Sequence, residues 1–127
     1  MYTPSHVMQL SADELDLIIG DSLLEGEFGS KPVSEAEKRS VAANWFRANL
    51  DRFHVAICTS AFVNNYLLGK NNKTRNEILA AVVDALLKLG GWGTIPVVVL
   101  GARLMNYGLD QLCPQVNAID QQTRPAT

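Results

Sequence analysis

Thr74-Arg75-Asn76-Glu77-Ile78-Leu79-Ala80-Ala81-Val82-Val83-Asp84-Ala85-Leu86-Leu87-Lys88-Leu89, closed by Gly90-Gly91-Trp92-Gly93, is the stretch on which the fold turns. A threonine followed three residues later by a glutamate is a capping box. The hydroxyl accepts from the N3 amide, and the carboxylate reaches back to the cap amide. Ile78, Leu79, Val82, Val83, Leu86 and Leu87 then recur at helical spacing, with Asp84 and Lys88 one turn apart on the wetter side. Glycine takes the left-handed conformation that ends a helix at little steric cost. The spacing therefore predicts a helix over 76–89 and a stop at 90–93.

The same hydroxyl-to-glutamate signal occurs twice upstream, at Ser11 with Glu14 and at Ser34 with Glu37. The first predicts a helix over 12–24, with Leu15, Ile18, Ile19 and Leu23 on one face, stopping near Gly26 to Gly29. The turn Gly29-Ser30-Lys31-Pro32 leads to the second start. From Glu35 an apolar stripe runs on towards Leu68. A bend is expected near Asn49 to Arg52, because helices of globular domains average about three turns. Downstream, Thr94 and Pro96 open a last helix with its body over 97–112, and Pro114 ends it.

Two runs read in two ways. Phe53-His54-Val55-Ala56-Ile57 also alternates as a strand would, and Val97-Val98-Val99-Leu100 suits a buried strand as well as a helix. The favoured fold is all-α, a small bundle of four to five helices over 1–113 with a C-terminal helical hairpin, followed by a flexible polar tail over 114–127. The rival is an α/β fold with short strands near 53–57 and 96–100.

A chain of 127 residues that is 47% hydrophobic and only 19% charged has ample material for one core. Its formal net charge of −2 gives no electrostatic footprint for nucleic acid, which requires clustered cations against phosphates. Lys70, Lys73 and Arg75 lie among Asn71, Asn72 and Asn76 and read as a solvated loop. Residues 1–10 carry no basic segment leading into an apolar run, and the two cysteines, Cys58 and Cys113, are far apart without a CxxC spacing. The expectation is a cytoplasmic protein with free thiols.

No residue pattern names a reaction. His54 and Cys58 are four apart and would share a helix face, but a structural zinc takes four ligands and a catalytic one three with water. An inert buried cysteine beside a half-buried histidine is the simpler account. A metal-binding protein or an enzyme built on His54 and Cys58 is the least favoured functional class. Asp13, Glu14, Asp16, Asp21, Glu25 and Glu27 make the N-terminal part acidic, which a solvated helix face explains better than a metal site. Gly90, Gly91 and Gly93 match neither a dinucleotide fingerprint nor a phosphate loop, so no cofactor is implied. Trp92 either plugs the end of the core or stands out as an interaction anchor, and the plug suits a helix corner better.

Between Ile78 and Leu112 the chain is nearly all apolar apart from Asp84, Lys88, Arg103, Asn106 and Asp110. Two such helices have more apolar circumference than a small monomer covers, which points to a partner, most simply a second copy in a two-fold dimer. Val83, Leu87, Trp92, Leu100 and Leu104 are the candidate interaction residues. A membrane-active hairpin over 77–112 is the second reading, although neither arm reaches the roughly 20 uncharged residues of a spanning helix.

The run Ile95-Pro96-Val97, then Leu100, then Gly108-Leu109-Asp110-Gln111-Leu112-Cys113 resembles the ends of small uncharacterised bacterial proteins encoded near conflict and anti-phage genes. The resemblance implies an accessory or adaptor component rather than a stand-alone enzyme. It agrees with the function favoured from the residues, a protein-interaction module.

Overall fold

The computed structural model describes residues 3–24, 33–69 and 74–114. Among them are eight helices and no strand. They are α1 (Pro4–Val7), α2 (Ala12–Leu24), α3 (Glu35–Ala48), α4 (Leu50–Cys58), α5 (Ala61–Leu67), α6 (Arg75–Leu89), α7 (Val97–Tyr107) and α8 (Leu109–Leu112). The protein is all-α. Both ambiguous runs are helical, 53–57 within α4 and 97–100 at the start of α7.

All three capping signals open helices. The Ser11 hydroxyl accepts from the Glu14 amide at 3.1 Å while the Glu14 carboxylate accepts from the Ser11 amide at 3.1 Å. Thr74 and Glu77 form the same reciprocal box at the start of α6. Ser34 accepts from the Glu37 amide at 3.1 Å at the start of α3. At the other end of α6, Gly90 carries φ of 72°, and its amide donates to the Leu86 carbonyl.

The long pattern after Glu35 breaks twice rather than once. Asn49 separates α3 from α4, its amide side chain donating to the Trp45 carbonyl at 2.9 Å. The second break, at Thr59 and Ser60, has a physical cause of its own. Ser60 takes extended angles and its hydroxyl accepts from the Val63 amide at 3.4 Å, which caps α5. The helix expected to run over 97–112 likewise ends at Tyr107, because Gly108 leaves helical geometry with φ of 110° and starts the short α8. Thr3 and Pro4 open a further short helix, α1, by the cap-and-proline device.

One contiguous core receives side chains from every helix, from Val7 in α1 to Leu112 in α8. α2 lies along α3, and α7 packs on α2 and α6 with α1 across it. Gly20 makes the first pairing possible: a methyl group there would collide with the backbone carbonyl of Lys38. The apolar surface of the expected hairpin is thus largely covered within the chain. Leu100 and Leu104 are fully buried within the chain, in a helix that packs on α6, α2 and α1. The stop foreseen at Gly26 to Gly29, the turn over 29–32, the Lys70 and Lys73 loop and the tail beyond Pro114 lie outside the described residues.

Candidate functional site

The hairpin corner is built around Trp92. The ring is 5% exposed, stacks on Phe53 at 5.3 Å, meets Trp45 edge-on at 6.3 Å, and donates through Nε1 to the Leu86 carbonyl at 2.7 Å. Arg52 closes the corner from outside. Its guanidinium lies 4.2 Å from the indole centroid and donates to the carbonyls of Gly90 at 2.9 Å and Gly91 at 3.2 Å. Trp92 is therefore the plug, and the corner it fills is structural.

Of the five residues singled out for interaction, Trp92, Leu100 and Leu104 lie in the core and only Val83 and Leu87 reach the surface. Val83 is half-buried against α7, where its Cγ2 would touch a methyl added at Gly101. Leu87 is 61% exposed. What the sequence did not disclose is where the remaining exposed apolar surface gathers.

An open groove of about 940 Å³ runs between α4, the α4–α5 corner and α6. Val55, Phe62 and Leu89 line it and are among the large hydrophobic side chains left in solvent, at 56%, 37% and 45% exposure. Ala80, Ala81 and Ala85 form a shallow wall on α6, and Glu77, Asp84 and Lys88 supply its charges. Leu87 follows Asp84 by three residues and Ala80 by seven, so it stands beside the groove on the outer face of the same helix. Lys88 and Asp84 pair at 3.2 Å, both mostly exposed. Only the helical spacing of α6 was available to the sequence reading. The contribution of α4 and α5 required the fold.

The candidate chemistry at His54 and Cys58 takes a different form. The two do share α4, His54 half-buried and Cys58 at its end, but Cys58 is disulfide-bonded to Cys113. This corrects the expectation of free thiols. A separation of 55 residues says nothing of distance, and the packing of α8 on α4 brings the two Cα atoms to 5.5 Å. In this state Cys58 has no thiolate to offer a metal or a substrate. Among the described residues no group of three His, Cys, Asp or Glu side chains is placed to hold a metal ion.

The acidic N-terminal part is not one solvated face. Asp16 is 7% exposed and accepts from Arg103 Nε at 2.7 Å, the guanidinium lying 4.9 Å from the Phe46 ring centroid. Asp21 pairs with Lys38 at 2.8 Å, and Glu14 is spent on its cap. Glu25 and Glu27 lie outside the described residues.

Among the described residues no helix is long and apolar enough to cross a membrane. The 15 residues of α6 rise about 22 Å against a hydrocarbon thickness of about 30 Å. Compared with protein-family models, with curated proteins and with solved structures, the chain has no match.

Proposed function

We propose that this chain is a protein-interaction module that pairs with a second copy of itself across the outer face of α6 and the adjoining groove, acting as an adaptor or accessory component. The observation that carries the reading is the gathering of Val55, Phe62, Leu87 and Leu89, the large hydrophobic side chains left exposed among the described residues, on and beside that groove. Grouped apolar side chains rimmed by charge are what an interface leaves on a separated protomer.

A second copy suits the face by charge and by shape. Let two α6 helices pack antiparallel about a two-fold axis level with Val82 and Val83. Glu77 of each copy then falls opposite Lys88 of the other, and Ala80 falls opposite Ala85. The alanines admit close approach of the helices, and each Leu87 covers the Glu77 to Ala81 turn of its mate. A stable interface takes about a tenth of a small protein's surface, here roughly 760 Å² of 7578 Å².

Charge exchange tests the pairing. Light scattering on Lys88→Glu should give a monomer through like-charge contact with Glu77 of the second copy, and Glu77→Lys in the same chain should restore the dimer. Circular dichroism of each variant checks that α6 survives loss of its capping box. A wild-type protein that stays monomeric at high concentration would sink self-association. Binding of an unrelated amphipathic helix or of lipid vesicles by that monomer would assign the face to a different occupant.

A further inference from the structure

The groove and the disulfide share one piece of chain. Cys58 ends α4, and the next two residues, Thr59 and Ser60, line the groove together with Val55 and Ala56 from the preceding turn. On its other side Cys58 is tied to Cys113, the residue that follows α8. α8 has only four residues, too few to hold helical form by its own hydrogen bonds. Its anchors are Leu109 and Leu112 in the core and the bond from Cys113 to α4.

We infer that the Cys58–Cys113 disulfide is a redox-operated clamp that fixes α8 to α4 and thereby sets the shape of the groove at the α4–α5 corner. The inference rests on the reading of that groove as the self-association surface. Cys113 is fully buried whereas Cys58 is partly exposed, so a reductant reaches the bond from the Cys58 side.

Reduction by a dithiol balances in two exchanges. A thiolate of the reductant attacks Cys58 Sγ, the Sγ–Sγ bond breaks, and Cys113 leaves as a thiolate that takes up a proton. The second thiol of the reductant then attacks its own sulfur in the mixed disulfide, releasing Cys58, which is protonated in turn. Two electrons pass to the protein, and the dithiol becomes a cyclic disulfide. In the disulfide-bonded structure Cys58 Sγ lies 3.5 Å from the Leu112 carbonyl, so a thiol formed there by reduction has at most a weak S–H donation to that oxygen in place of the covalent bond. With α8 released, the corner bearing Thr59 and Ser60 is held by Ile57 and Val63, the nearest fully buried side chains on either side, with Ala56 and Tyr66 partly buried against the core. In a thiol-rich cytosol a disulfide of this kind is transient, which is the condition a switch requires.

The test uses the full chain, oxidised, reduced with dithiothreitol, and as Cys113→Ser. Amide hydrogen exchange followed by mass spectrometry reads α8 and the α4–α5 corner, and sedimentation reads association. Reduction should speed exchange in 109–112 and 58–61 by about tenfold or more and weaken dimerisation. Cys113→Ser should behave as the reduced protein and ignore dithiothreitol. Unchanged exchange in both segments on reduction would overturn the clamp. So would two alkylatable thiols in protein purified without reductant that fail to pair on mild oxidation. If exchange responds while the chain is monomeric in every state, the clamp stands and the dimer fails.

Discussion

Replacing Trp92 probes the corner on which the second half of the fold depends. Trp92→Ala removes a ring that is 5% exposed, stacked at 5.3 Å on Phe53 and covered by Arg52 at 4.2 Å. Truncation of a buried indole of this kind costs about 3–5 kcal/mol. That is a large share of the roughly 5–15 kcal/mol that stabilises a domain. Trp92→Phe separates packing from hydrogen bonding. It keeps most of the ring and loses the Nε1 donor, but the Leu86 carbonyl still accepts from the Gly90 amide at 2.9 Å, so no acceptor is stranded and the loss should be about 1–2 kcal/mol. Arg52→Ala removes the bonds to Gly90 and Gly91 and the contact with the indole, so its cost should couple with that of Trp92→Ala by about 0.5–2 kcal/mol. Urea denaturation followed by far-ultraviolet circular dichroism measures all five proteins, the wild type, the three single variants and the Arg52→Ala/Trp92→Ala double variant that the coupling requires. A Trp92→Ala variant within about 0.5 kcal/mol of wild type would show that the indole does not close the core.

Gly20→Ala should destabilise by about 1–3 kcal/mol or displace α2 from α3, since the obstacle is the Lys38 backbone, not a movable side chain, and a thermal melt against wild type reads the loss. Arg103→Met should cost about 3–5 kcal/mol by leaving Asp16 charged and unpaired in the core, and the added change Asp16→Leu should recover much of it in the same denaturation assay. Cys113→Ser, compared with oxidised wild type, should lose about 4 kcal/mol on the loop-entropy estimate for a closed segment of 55 residues, and equal midpoints in guanidinium would contradict that.

The parts of this fold written in the sequence are those governed by neighbours three or four residues apart. Ser11 with Glu14, Ser34 with Glu37 and Thr74 with Glu77 each open a helix, because a cap is a local bargain between a hydroxyl, a carboxylate and two amides. Gly90 closes α6 for an equally local reason. Ser60 escaped notice as a cap because Val63, not a glutamate, stands at the third position. The remainder depends on contacts between distant segments. The sequence pattern of α7 is apolar on nearly every side whether the chain's own helices or a second copy covers Leu100 and Leu104, and only the packing shows that the chain itself buries them. Asp16 looks like its acidic neighbours until Arg103, 87 residues on, is seen beside it. The same holds for the site. Leu87 was legible from the spacing of α6, while Val55 and Phe62 join it only because α4 and α5 are folded back along that helix.

Sedimentation equilibrium of wild type beside Leu87→Glu, both oxidised and over a range of micromolar concentrations, tests self-association through α6 most directly. Leu87 is 61% exposed, so the substitution leaves the core untouched. The pairing of α6 helices requires a wild-type mass that rises towards twice 13.9 kDa with concentration and a variant that stays at 13.9 kDa. Identical masses for the two proteins at every concentration, whether monomeric or dimeric, would contradict it.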